Sequence, residues 1–373
     1  MELKVFNKSG KTDVAFICRK SCSFTKSDIE NIAEYNDLRI HLYEAPAKLT
    51  GKSILIKIHK FIAILFNNNN FLNLVSDFKS EYKKILKYVK SNNIDICFFL
   101  ADADIWTKSF LDNLKKHSYT ACYLADDPEG SRKKSKPFVK YYDHAFCGGV
   151  FFNENEKIAA KYLEWGGARK SKFIPLGARA SKYIEEPPAL DGRDIDLVYI
   201  GKPYSKKIFR LLKLKKHFGN RMKIYGRGWK TFPKRTLTGF IASQIYDFNF
   251  ERVEEISSEE FIQVYRNAKI GFNFHQSYGP SNRRMYELPI NGVMQICDCK
   301  KGLSELYSLG EEVISYKNID DAINKIEYYL KNDKERVRIA KKGYLKVKSS
   351  YKTGACFEIM IKEIEKDSKF KDL

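Results

Sequence analysis

The chain has 373 residues, of which 43% are hydrophobic and 14% aromatic. That composition excludes a disordered or collagen-like chain and predicts a globular protein of two domains with a large core. Lys and Arg number 67 against 46 Asp and Glu, and the net charge of +21 attracts phosphates: nucleotides, anionic lipid surfaces, teichoic-type polymers or nucleic acid.

Residues 14–18 read as a strand, Ser27 offers an N-cap for a helix over 28–35, and 38–43 read as the next strand. A helix is expected over 52–66, a polar turn over 67–70, a helix over 71–91 and a buried strand over 94–100. Helices at 106–117 and 154–165, with strands at 120–124, 144–147 and 173–176, complete a first domain of residues 1–184. This alternation predicts a parallel, doubly wound sheet. The polar segment 185–194, stiffened by Pro187 and Pro188, marks the domain boundary. In a second domain, residues 195–350, strands are expected at 196–200, 222–225, 269–274, 293–298 and 312–316. Helices are expected there at 205–218, 258–268 and 319–331. The tail reads as helical from 333 to 366 with a break near 352–354, and 351–373 are expected to pack back on the first domain.

The first ten residues lack an apolar core, and the strongest apolar run, 61–66, is too short to span a bilayer. The eight cysteines include no C-x-x-C pair and read as reduced thiols. A cytoplasmic protein is expected. Abundant Lys, Asn and Ile also fit an AT-rich coding genome, so charge by itself selects no partner.

The most informative stretch is Ser281-Asn-Arg-Arg-Met-Tyr-Glu-Leu-Pro-Ile-Asn-Gly292, a short helix leading into an apolar strand. Arg284 and Glu287 share one helical face at i, i+3 spacing. A guanidinium suits a phosphate and a carboxylate suits vicinal hydroxyls. The alternative is that the two pair with each other on a solvated face. Gly201 and Lys202 follow this domain's first strand, where a backbone turn and an ammonium can meet a diphosphate. Gly226-Arg-Gly228 with Trp229 either accepts a flat base or forms a tight turn beside a core tryptophan. In the first domain Asp102, Asp104, Asp126 and Asp127 follow strands. Asp126 and Asp127 suit acceptor binding or general-base work, with an Asx turn before Pro128 as the alternative. The basic segment 131–140 can gather an anionic acceptor.

Arg284-Met-Tyr-Glu287, Gly292 five residues later and Glu311-Glu-Val-Ile-Ser-Tyr316 resemble the carboxyl-terminal half of the CgeB-like (spore maturation protein) glycosyltransferases. The resemblance continues in Ile326-Glu-Tyr-Tyr-Leu330 and the basic helix over 336–351. It reaches the first domain through Tyr123-Leu-Ala-Asp-Asp-Pro128 and Ile174-Pro-Leu-Gly177. It implies a GT-B architecture, two doubly wound Rossmann-like domains facing across a cleft. A nucleotide-sugar donor, UDP-linked, would occupy the second domain, and a surface glycan or glycoconjugate acceptor the first. By this match Glu287 takes the ribose hydroxyls and Arg284 the diphosphate, with Asn282, Arg283, Tyr286, Gly201, Lys202 and Gly226 around them. Related retaining enzymes carry a second Glu eight residues before the ribose-binding one. Gly279 stands there in this chain, so contact with the sugar is expected from His275 or from backbone amides near Gly279. Asp102 and Asp104 resemble the metal-binding D-x-D of the other glycosyltransferase class, whereas a GT-B site requires no divalent metal. Three further expectations stay open: peripheral contact with an anionic membrane, nucleic acid as acceptor, and a non-catalytic nucleotide-binding or coat-assembly protein on this scaffold.

Overall fold

Apolar runs bounded by polar turns become strands in two separate sheets of the computed structural model, which describes residues 3–19, 26–45, 78–100, 106–124, 136–148, 164, 166–178, 188–205, 207–275 and 279–371. Two units divide the chain: Met1–Ala180 with Lys352–Leu373, and Ser181–Tyr351.

The first unit holds a seven-stranded sheet in the order β1-β3-β2-β4-β5-β6-β7. Its strands are β1 Leu3–Phe6, β2 Thr12–Arg19, β3 Leu38–Ala45, β4 Ile96–Leu100, β5 Tyr119–Leu124, β6 His144–Cys147 and β7 Ser171–Phe173. All neighbours pair parallel except β1, which runs antiparallel along β3 with Leu3 opposite Tyr43. The central strands β4 and β5 are buried at every position. Strands covered on both faces need continuous apolar sequence rather than alternation. The helix Thr353–Glu365 returns to this unit, setting the Phe357 ring 5.4 Å from Phe16 and 5.3 Å from Phe98. The Thr353 hydroxyl donates to the Ala178 carbonyl, and the Gly354 amide donates to Asn31. Beyond that helix the buried Asp367 accepts from the Tyr119 hydroxyl at 2.6 Å and pairs with Arg169.

The second unit is a five-stranded, wholly parallel sheet in the order β12-β11-β10-β8-β9. Here β8 is Ile195–Ile200, β9 Met222–Tyr225, β10 Ala268–Asn273, β11 Met294–Asp298 and β12 Ile314–Tyr316. The chain leaves β8 to one side for β9 and returns to its other side for β10. Such a reversal of strand order opens a crevice at the carboxyl strand ends, where doubly wound sheets take ligands. No helix among the described residues is long and apolar enough to cross a membrane.

Several elements differ from the sequence expectation. The edge strand β1 went unread because four residues beside a turn carry little pattern. The helices Phe232–Arg235 and Leu237–Tyr246 also went unread. The expected helix over 106–117 shortens to Lys108–Leu114, capped by the Thr107 side chain. The expected helix over 52–66, the turn over 67–70, nearly all of the helix over 154–165, and Asp102, Asp104, Asp126 and Asp127 lie outside the described residues. Of the basic segment, Lys136–Tyr141 forms a 3-10 turn.

Burial alone would push the Asp367 carboxyl up; hydrogen bonds from Arg169, Tyr119 and the Lys369 amide outweigh it and hold the group well below the usual carboxylate range. A depressed pKa stabilises the fold above the unfolded value, and that stabilisation is lost as pH falls. Asp367→Asn should therefore lower the unfolding free energy at neutral pH by about 1.5–3 kcal/mol. In urea titrations the deficit should narrow once pH drops below about 4; a deficit independent of pH would contradict the ionic role.

Candidate functional site

The carboxyl ends of β8, β10 and β11 bring three turns together at the reversal of strand order. After β8, Gly201 turns the chain and Lys207 immediately precedes the helix Ile208–Phe218. After β10 come Phe274 and His275, and β11 ends in Asp298. The Phe274 carbonyl accepts from Lys207 Nζ at 2.6 Å and from Arg284 Nη2 at 3.2 Å. Two cationic side chains thus converge on one backbone oxygen. Lys207 is buried, with its ammonium 5.0 Å from the Phe274 ring centroid and 5.4 Å from that of Tyr204. Burial, then Arg284 and Lys300, push its pKa down to about 6 against the opposing pull of Asp298.

Arg284 opens the short helix Arg284–Ile290. Its Nε donates to Asn273 Oδ1 at 3.0 Å and its Nη1 to the Ile200 carbonyl at 3.0 Å. The guanidinium lies 4.9 Å from the Tyr199 ring centroid. Of the five N–H donors of an arginine, three are held by Asn273, Ile200 and Phe274 among the described residues. None of these bonds runs to Glu287, whose carboxylate acts on the guanidinium through space and favours its charge. Asn273 is buried inside β10, and Asn282 donates to its Oδ1 at 2.9 Å. Arg284 is therefore a strut tying the ends of β8 and β10 together, as well as a charge. Glu287 follows one turn later, half-buried, its amide bonded to the Arg283 carbonyl.

His275 is almost wholly buried, and its Nδ1 lies 2.7 Å from Asp298 Oδ1, which also accepts from the His275 amide. A carboxylate accepts only, so Nδ1 carries the hydrogen and Nε2 presents a lone pair. Among the described residues Nε2 has no partner. Burial depresses the imidazole pKa despite Asp298, and Arg284 and Lys207 add to the depression. For Asp298 burial works upward, but the bonds from His275 prevail and hold the carboxyl below its ordinary value. A neutral imidazole beside the Arg284 guanidinium can accept a hydroxyl hydrogen.

Of the residues singled out by sequence, Gly201, Gly226, Asn282, Arg284 and His275 meet around these strand ends. Lys202 is exposed in the turn after β8. Arg283 is the N-cap of the motif helix. Tyr286 belongs to the core instead of a ligand surface: it is fully buried, its hydroxyl 3.0 Å from Ser281 Oγ and its ring 5.4 Å from that of Tyr351. Trp229 is likewise no base platform, since its ring is buried against Phe248 and Phe250 and its Nε1 donates to the Gly201 carbonyl at 2.8 Å. Sequence reading missed Lys207, Tyr199, Asn273 and Asp298. The signals available were an asparagine inside an apolar strand and an aspartate closing one.

Compared with known families, residues 205–360 match the family described as glycosyl transferase-like. No curated protein matches the chain in sequence. Among solved structures the fold is shared with an alpha-glucosyltransferase in complex with UDP and a 13-mer DNA containing an HMU base, at 14% identity and TM-score 0.61 over 95% of this chain and 100% of that one. Sucrose-phosphate synthase from Thermosynechococcus elongatus aligns with TM-score 0.61 and 12% identity over 95% and 98% of the two chains. Anabaena HepE in complex with UDP-glucose aligns with TM-score 0.58 and 12% identity over 95% and 99%. Residues 205–360 thus match a glycosyl transferase-like model, and the chain as a whole shares its two-sheet α/β fold with these enzymes.

Gly226 adopts φ +140°, and a Cβ there would stand 2.5 Å from the Gly201 carbonyl oxygen. Gly228 has φ +87° with nothing within 4 Å of its would-be Cβ. Gly228→Ala should cost only the conformational penalty of about 1–2 kcal/mol. Gly226→Ala should cost more, because the two turns must separate. Urea unfolding of both variants checks the order, and equal costs would mean the close approach is not a constraint.

Proposed function

We propose that this glycosyltransferase moves a sugar from a UDP-linked donor to a surface glycan or glycoconjugate, with the nucleotide held by the second unit. One observation carries the reading: Lys207 and Arg284 converge on the Phe274 carbonyl, and the buried Lys207 amine, which gives up its proton beside the guanidinium, regains it when an anion arrives. A diphosphate is such an anion. The complexes with UDP and UDP-glucose among proteins of this fold support uridine as the base. The Arg284-Met-Tyr-Glu287 motif supports a place among the CgeB-like enzymes.

In this reading Lys207 and the two N–H groups of Arg284 that no described residue takes bind the diphosphate, and Glu287 takes the ribose hydroxyls. His275 Nε2 accepts from a hydroxyl of the donor sugar, with Asp298 fixing its tautomer. Lys202 closes over the phosphates from the exposed turn. In transfer, the bond from the anomeric carbon to the β-phosphate oxygen breaks and an acceptor oxygen bonds to that carbon. The acceptor proton passes to a carboxylate, for which Asp126 and Asp127 of the first unit are the candidates. The departing diphosphate gains charge as the bond breaks, and Lys207 and Arg284 stabilise it where it forms. A second reading keeps this donor site and makes modified DNA the acceptor. It is favoured by the DNA held by the similar alpha-glucosyltransferase and by the surplus of basic residues. Duplex binding that falls steeply with salt would select it.

Glu287→Ala should weaken UDP-sugar binding by about 1.5–3 kcal/mol, tenfold to a hundredfold, with the thermal midpoint preserved. Unchanged turnover across a panel of nucleotide-sugars would remove the assignment. Lys207 tests the diphosphate directly. Neutral in most free molecules above pH 7 and charged beside a diphosphate, it should take up close to one proton per UDP bound. Calorimetry in buffers of different ionisation enthalpy reads this uptake. It should vanish in Lys207→Met, and its absence from the unaltered protein would sink the diphosphate role.

A further inference from the structure

The helix Leu237–Tyr246 inverts the burial pattern of a soluble surface helix. Its buried residues are Gly239 and Ala242, while Leu237 is 74% exposed, Phe240 55%, Ile245 58% and Ile241 39%. At 100° per residue these four and the exposed Gln244 fall within one arc of about 140°. The helix carries no charged side chain. Nor can it turn to bury its bulk. Thr236 caps it by accepting from the Gly239 amide at 3.0 Å, and a Cβ on Gly239 would stand 2.7 Å from Phe232 Cδ1 and 2.8 Å from the Phe232 carbonyl. The inner face is fitted to glycine, so the apolar arc is held outward.

The surroundings are cationic. Residues 197–246 contain thirteen Lys and Arg and no Asp or Glu. Lys230, Lys234 and Arg235 are exposed just before the helix; of the nearest carboxylates beyond it, Glu251 is paired with Lys234 at 2.9 Å. Apolar side chains that project outward, preceded by basic residues, suit the boundary between acyl chains and anionic headgroups. Duplex nucleic acid would satisfy the cations and leave Phe240 and Ile245 in water. A second copy meeting this face about a two-fold axis would bring like charges together.

We propose that the helix Leu237–Tyr246 docks this protein on an anionic bilayer, with Leu237, Phe240, Ile241 and Ile245 entering the interface and Lys230, Lys234 and Arg235 meeting the headgroups. The inference stands on exposure and charge, and holds whether or not the donor assignment does. The full chain should float with vesicles of phosphatidylcholine and phosphatidylglycerol, and far less with phosphatidylcholine alone or at high salt. The double variant Phe240→Ser, Ile245→Ser should partition at least about tenfold more weakly, given the apolar area removed, with an unchanged thermal midpoint. Phe240→Trp should show blue-shifted emission on the anionic vesicles. No flotation, flotation unaltered in the double variant, or no spectral shift would each overturn the proposal. So would a dimer that the double variant dissolves, seen by light scattering, or duplex DNA binding that the same variant abolishes.

Discussion

The second unit is organised around one shared acceptor. The Phe274 carbonyl receives both Lys207 and Arg284, and the two cations are kept near each other by bonds that neither can leave cheaply. Burial makes this costly for the lysine in particular, whose remedy in the free protein is to give up its proton. Arg284 has no such remedy, and its charge is spread over Asn273, two carbonyls and the Tyr199 ring. The pair therefore differs in kind: the charge of Arg284 is fixed, whereas that of Lys207 depends on what lies beside it.

That arrangement depends on the sheet. Parallel pairing of β8 with β10 places the Ile200 and Phe274 carbonyls side by side at the point where strand order reverses. Gly201 and Gly226 let two turns pack backbone against backbone, and the Trp229 indole ties the first of them down. Asn273 then fills a strand position that an apolar residue would normally hold, because its amide oxygen must orient the guanidinium. A polar side chain buried in a parallel strand is tolerated where its hydrogen bonds are met, and here Arg284 and Asn282 meet them.

Much of this could be read from the sequence, for reasons that vary by residue. The alternation of strands and helices was plain because parallel strands carry unbroken apolar runs. Arg284 and Glu287 stood out as charges on a short helix ending in Gly292 before an apolar strand. Lys207 did not, since it is one of thirteen basic residues in its stretch and nothing in a sequence distinguishes the buried one. Asp298 is invisible until His275 is known to lie beside it, two strands' ends being joined only in space. Trp229 is the core tryptophan that one of its two readings expected, and Tyr286, inside the motif, is buried as its support. The helix Leu237–Tyr246 escaped because apolar periodicity reports a face without saying which way it points.

Under the proposed function the charge of the second unit serves two purposes that compete for the same residue types. Among the described basic residues of 197–246, Lys207 alone is buried. Apart from the half-buried Lys215 the others sit at the surface, where water screens them beyond about a Debye length. A surface so basic lowers the energy of any approaching phosphate, yet it also makes the burial of one more cation harder. The fold resolves this by distance and dielectric: exposed charges act diffusely and are weakened by salt, whereas Lys207, dehydrated against Phe274, acts at contact range. In the proposed donor site attraction and recognition are thus separated, and only the second needs the geometry of the strand ends.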